Sequence, residues 1–147
     1  MSVNQSIEDY LEAIYDLSHP DQSVRTKEVA DRLEVKAPSV TEMFQKLESR
    51  GLVEYRKYGG VELTPSGKTI AKSVRDAHQA IKYLLRLLQV PRDQADIDAC
   101  KVEHNLSRQT IIQLKKFVKF VEGCPEGEPK WVSRFKHYSK TGELPDE

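Results

Sequence analysis

The chain has 147 residues, 38% of them hydrophobic and 31% charged, which excludes a disordered chain and suits one large or two small globular domains. Lys and Arg together number 23, as do Asp and Glu, so no strongly basic balance points to nucleic acid by itself. No run approaches the roughly 20 apolar residues that span a bilayer, and Met1–Ser6 has neither a basic start nor an apolar run behind it. A cytoplasmic protein without membrane association is expected, its two cysteines, Cys100 and Cys124, kept as reduced thiols.

Ile7, Leu11 and Ile14 recur at helical spacing, so residues 5–18 are predicted helical, ending at His19-Pro20-Asp21-Gln22. Residues 1–21 carry five acids and no Lys or Arg, whereas 22–72 carry ten Lys/Arg against seven Asp/Glu. The local excess of basic residues permits phosphate contact, and the acid-rich first helix suits either a cation site or a solvated face. A short helix over 26–33 (Val29, Ala30, Leu33) is followed by the tight connection Glu34-Val35-Lys36-Ala37. Pro38 suits the first turn of the next helix, amphipathic through Val40, Phe44 and Leu47 to Ser49, with Gly51 at its C-terminal cap. Two β-prone runs, 52–56 and 61–64, flank Lys57-Tyr58-Gly59-Gly60, whose Gly-Gly pair can supply the positive φ of a hairpin turn. Thr64-Pro65 opens a long helix over 65–89 with the stripe Ile70, Val74, Ala77, Ile81, Leu84, Leu85, Leu88. Helices over 92–105 and 107–122 follow, the latter carrying Ile111, Leu114, Phe117, Val118 and Val121, then a short helix near Trp131–Tyr138.

Helix, tight turn, helix, hairpin is the winged helix-turn-helix order, whose second helix enters the major groove. The fold class is therefore mainly α with a small β-wing: a winged helix-turn-helix DNA-binding domain (1–72) and an all-helical domain (73–147). The outward face of the second helix holds Ser39, Thr41, Glu42, Gln45 and Lys46, while Lys36, Lys46, Arg50, Arg56 and Lys57 are placed for phosphates. Glu42 is repelled by phosphates unless it accepts from a cytosine N4. The plain alternative is an amphipathic helix beside a hairpin.

Cys100, Glu103 and His104 stand at i, i+3 and i+4, on one side of a helix. Thiolate, carboxylate and imidazole together bind divalent transition metals. Asp9 and Glu12 lie one turn apart on the first helix, and His78 borders the apolar stripe of the long one. Each has a plainer reading: Asp9 and Glu12 as a solvated face, His78 as a core histidine, Cys100 as a small buried hydrophobe.

The stretches Ile7–Tyr15, Ala37-Pro38-Ser39-Val40-Thr41, Leu63–Lys68 and Ala99–Ser107, with Cys-x-x-Glu-His the most specific, resemble the diphtheria toxin repressor and manganese transport regulator family of metal-dependent repressors. The resemblance covers about residues 5–122. It implies a homodimer that binds double-stranded operator DNA when loaded with Fe(II) or Mn(II). The implied metal ligands are Asp9, Glu12, His78, Cys100, Glu103 and His104. The implied DNA-reading segment runs from Lys36 through Ala37, Pro38, Ser39 and Thr41 to Glu42. The iron branch has Cys at position 100 but Met at position 9. The manganese branch has the two first-helix acids but Glu at position 100. Where the iron branch has a carboxylate and a His for a second site, this chain has Lys82 and Asp96.

A thiolate favours Fe(II) or Zn(II) over Mn(II), and added carboxylates pull towards Mn(II); Fe(II) is expected first and Mn(II) next. Tyr83, Leu87 and Phe120 add apolar surface beyond a half-chain core, so a homodimer interface is expected. A metal-independent winged regulator would use Cys100, Glu103 and His104 for packing. No Gly-rich phosphate loop, nucleophile elbow or His-Glu-x-x-His supports a metal-dependent hydrolase, and no enzyme is expected.

Overall fold

The computed structural model describes residues 3–146, which divide into two compact units on either side of Arg75 and Asp76. The first holds α1 (Val3–Leu17), α2 (Thr26–Leu33), α3 (Ala37–Ser49) and the strands β1 (Val53–Arg56) and β2 (Gly60–Leu63). Helix α4 (Pro65–Leu87) runs through both units, and α5 (Arg92–Glu103), α6 (Arg108–Glu122) and α7 (Lys130–Thr141) belong to the second. Among the described residues no helix is long and apolar enough to cross a membrane.

The helical spacing read from the sequence buries Leu11 and Ile14 of α1, Val29 of α2, and Val40, Phe44 and Leu47 of α3 around one core. Glu34 caps α2 in the left-handed region (φ 55°), and the Val35 N–H returns to Ala30 O, which makes the turn into α3 tight. Strand alternation puts Val53, Val61 and Leu63 on the same core and turns Glu54 and Glu62 outward. The antiparallel register is Val53↔Leu63, Glu54↔Glu62, Tyr55↔Val61 and Arg56↔Gly60.

The hairpin turn differs from the expected Gly-Gly arrangement. Positive φ falls on Tyr58 (70°) and Gly60 (88°), not on Gly59. Gly60 is required for closeness as well, because a Cβ there would lie 2.6 Å from Val24 O. That approach reflects a feature the sequence did not announce. Val24 exchanges two backbone hydrogen bonds with Val61 (3.0 and 2.8 Å), adding one rung to the wing from the segment before α2. A further tie joins the recognition helix to the wing: the Tyr55 N–H donates to Glu48 Oε2 at 2.7 Å. Asp16 of α1 receives both Arg32 of α2 (3.0 Å) and Arg75 of α4.

Thr64 begins α4 as expected, its Oγ1 accepting the Gly67 N–H at 3.1 Å. The predicted stripe of α4 is corrected. Ile70 and Leu88 are exposed, and the buried positions are Ala71, Val74, Ala77, His78, Ala80, Ile81 and Leu87. The helix serves a different core in each unit, so no single 3.6-residue stripe describes its whole length. Leu87, expected as surplus surface, is instead 9% exposed and packs with Val121 and Val132. Val132 comes from α7, so the tail closes the second core. Phe120 does stand out, 71% exposed, and Ile97, Ile112, Phe117 and Trp131 are also exposed.

A Cβ on Gly67 would lie 2.0 Å from Leu52 O, a backbone atom with no room to retreat, whereas Gly51 (φ 72°) has nothing within 4 Å. Gly67→Ala is therefore expected to lose about 2–3 kcal/mol in urea unfolding. Gly51→Ala is expected to lose only about 1 kcal/mol from its left-handed backbone.

Candidate metal centre and nucleic-acid interface

The first turn of α3 is built from small residues. Ala37, Pro38 and Ser39 are all exposed behind the exposed Lys36, which allows close approach to base edges. Glu42 and Gln45 are exposed on the same helix, and Thr41 and Lys46 are half-buried. Thr41 Oγ1 already donates to Ala37 O (3.2 Å), so its hydroxyl turns back on the helix. Arg56 and Lys57 stand exposed on the wing. Two features escaped the sequence reading. Tyr58 projects from the wing tip, 89% exposed, with Lys57 Nζ 5.5 Å from its ring centre. Arg25 and Lys27 join Arg56 and Tyr58 around a cavity of about 230 Å³ beside the wing. Their signal was only a pair of basic residues at the start of α2, which packing alone brings to the hairpin.

In the second unit, α5 buries Ala95 and Ala99 completely, and Glu103 continues that row one turn later. A carboxylate thus occupies a core position, its side chain 2% exposed, and must find polar partners there. Glu103 Oε2 meets His78 Nδ1 of α4 at 2.8 Å, and Oε1 meets His104 Nε2 at 3.1 Å. Cys100 Sγ lies 3.6 Å from the same Nδ1. On the other edge of the ring, His78 Nε2 is 2.9 Å from Asp96 Oδ1, which also receives Lys82 Nζ at 3.2 Å.

Donor atoms of His78, Cys100 and Glu103 all lie within 4.8 Å of one another. Imidazole, thiol and carboxylate at that spacing form a donor set suited to a divalent transition ion. Two sequence expectations change. The helix ends at Glu103, so His104 is its C-cap, and it reaches the cluster through the second oxygen of Glu103 rather than from the side of Cys100. Cys100 is exposed, which removes its reading as a buried hydrophobe. His78 is buried as that alternative required, yet its ring is held by groups that also bind metal. Asp9 and Glu12 stand half-buried on α1 in the first unit.

With acceptors at both nitrogens, the His78 pKa is pushed up from 6.5 to about 11 by Cys100 first, then Glu103 and Asp96, against the opposing effect of burial. The His78 hydrogen bond in turn holds Asp96 below the usual carboxylate range, assisted by Lys82.

The family model for the "iron dependent repressor, N-terminal DNA binding domain" matches residues 2–61, and that for its "metal binding and dimerisation domain" matches residues 64–132. The chain belongs to the diphtheria toxin repressor and manganese transport regulator family. It is a metal-dependent DNA-binding repressor of that family, and a metal-independent reading is not favoured. Relatives within the family include an uncharacterized HTH-type transcriptional regulator of Methanocaldococcus jannaschii, 40% identical over 80% of this chain and 95% of its own. The HTH-type transcriptional regulator MntR of Bacillus pumilus is 36% identical over 82% of this chain and 84% of its own. Among solved structures, the manganese regulator SloR aligns with TM-score 0.67 and 35% identity over 81% of this chain. The present chain spans only 56% of SloR.

At neutral pH the metal-free His78 holds both ring protons, since its pKa of about 11 lies above the medium. Were His78 to serve as a metal ligand, one of these protons would have to leave. Calorimetry of metal binding in buffers of different ionisation enthalpy is expected to show at least about one proton released per ion, with apparent affinity rising between pH 6 and 8. A raised histidine pKa also stabilises the metal-free fold. That contribution is complete below the unfolded value of 6.5 and is lost as the pH rises through about 11.

Proposed function

We propose that the metal activating this repressor is Fe(II), with Mn(II) the second choice, and that it is held by His78, Cys100, Glu103 and His104 together with Asp9 and Glu12. The observation that carries the reading is the joining of thiol, imidazole and buried carboxylate at Cys100, His78 and Glu103. The family's ligand pattern supports adding Asp9 and Glu12. The thiolate favours Fe(II) over Mn(II). The names MntR and manganese regulator SloR on relatives favour Mn(II), and the first-helix acids agree with them.

Residues 1–72 bind operator DNA and 73–147 serve metal binding and dimerisation. Lys36, Ala37, Pro38, Ser39, Thr41, Glu42, Gln45 and Lys46 face the major groove. Arg56 and Lys57 hold the flanking backbone. Metal occupancy governs whether paired recognition helices engage successive major-groove faces of DNA, about 34 Å apart in two-fold proteins of this kind. The regulated genes are those of metal uptake.

Anisotropy of labelled upstream DNA, titrated anaerobically with Fe(II), Mn(II) and Zn(II), tests the activation. Binding should tighten with Fe(II) at lower free concentration than with Mn(II) and reverse with chelator. Equal response to both metals would end the Fe(II) preference. His104→Ala should cost at least the roughly 10–100-fold that loss of an outer-shell partner costs; wild-type DNA binding by that variant, with and without metal, would end the ligand assignment.

The second unit leaves Ile97, Ile112, Phe117, Phe120 and Trp131 exposed beside a core of few large side chains. Such a surface marks an interface, and sedimentation at micromolar concentration should give a dimer.

A further inference from the structure

We infer that Asp96, steadied by Lys82, is a positioning residue that takes the Nε2–H of His78 and thereby commits Nδ1 to the metal. The inference rests on the reading of His78 as a ligand. An imidazole offers either nitrogen to a metal, and the choice is set by what the other nitrogen bonds. Here the two edges of the ring are different in kind. Nδ1 faces both Glu103 Oε2 (2.8 Å) and Cys100 Sγ (3.6 Å), the other two donors of the cluster. Among the described residues, Nε2 bonds Asp96 Oδ1, at 2.9 Å.

The arrangement is built from two helical spacings. Asp96, Cys100 and Glu103 stand at i, i+4 and i+7 on α5, so one face of one helix supplies the orienting carboxylate and two donors. His78 and Lys82 stand at i and i+4 on α4, so the ammonium lies over the turn that follows the ring. Both cations converge on the same oxygen, Asp96 Oδ1. That oxygen is on the ring edge away from Cys100 and Glu103, and it cannot bond Nε2 and coordinate an ion at Nδ1 together. Asp96 is therefore an orienting group and not a seventh ligand. Its side chain is 52% exposed, against 8% for His78, so it can be replaced without opening the core.

The full chain, titrated with Co(II) against a chelating competitor, tests this. The thiolate-to-cobalt absorption reports Cys100, and long-range proton–nitrogen correlation on the Zn(II)-loaded protein reports which nitrogen of His78 keeps its proton. Asp96→Ala is expected to weaken Co(II) binding by about 10–100-fold while the thiolate band remains, and to lose the single Nε2–H tautomer. Asp96→Asn, which keeps an acceptor oxygen, should recover most of the affinity and the tautomer. His78→Ala separates the two levels. If it leaves Co(II) affinity unchanged, His78 is no ligand and the site reading falls, taking this inference with it. If it weakens binding while Asp96→Ala changes neither affinity nor tautomer, the positioning role alone is overturned and Asp96 is a surface ion-pair partner.

Discussion

Glu103 is the residue around which the polar cluster of the second unit is organised. A carboxylate at the end of a buried alanine row costs several kcal/mol unless positive charge or donors surround it. The structure surrounds it with His78 on one oxygen and His104 on the other. In the metal-free chain the compensating charge is a proton on His78, held far above its ordinary pKa. In the proposed centre, His78, Cys100 and Glu103 would hold a divalent ion, which would supply the compensating charge instead. Proton and metal would thus compete for one set of atoms.

The first unit meets the opposite demand, a stiff frame for an exposed helix. Its strength is apolar. Leu11, Ile14, Val29, Val40, Phe44 and Leu47 are all but fully buried, each worth about 1.5–3 kcal/mol of transfer free energy. The Asp16 pairs with Arg32 and Arg75 add little by comparison, because both arginines are more than 40% exposed. Their value is directional: they fix α1 against α2 and against the middle of α4. Glu48 to the Tyr55 N–H and Val24 to Val61 do the same for α3 and the wing. Together they give the recognition helix and hairpin one orientation.

Where caps and periodicity agreed, the sequence was sufficient. α2 and α3 fall where Leu33, Pro38 and Gly51 place them, because local turn chemistry decides those ends. The fold class and the donor types were legible for the same reason. What was not legible depended on contacts distant in sequence. Val24 forms a single rung with no run of β-prone neighbours to announce it. The stripe of α4 was misdrawn because Ala71 and Leu87 answer to separate cores. His104 reads as the i+4 member of a helical triplet, yet the helix ends one residue before it and the imidazole turns to the second oxygen of Glu103. The pairing of Asp96 with His78 needed two helices to be laid together, although each half of the pattern was already present at i, i+4 spacing.

This division of labour separates affinity from selectivity in the proposed centre. Glu103 and His78 are buried, the His104 side chain is only 3% exposed, and a buried carboxylate attracts any dication of suitable size. Their preference among first-row metals therefore follows the general order of affinities. Cys100 differs from them in both respects: it is exposed at the margin of the cluster and it is the one soft donor. A thiolate changes the ranking of Fe(II) against Mn(II) far more than it changes whether a cation binds. Selectivity then lies with a residue that contributes little to the fold, and the need for a cation lies with one the fold cannot dispense with. Exchange of position 100 between thiol and carboxylate would retune the metal while leaving the core and the DNA-reading surface untouched.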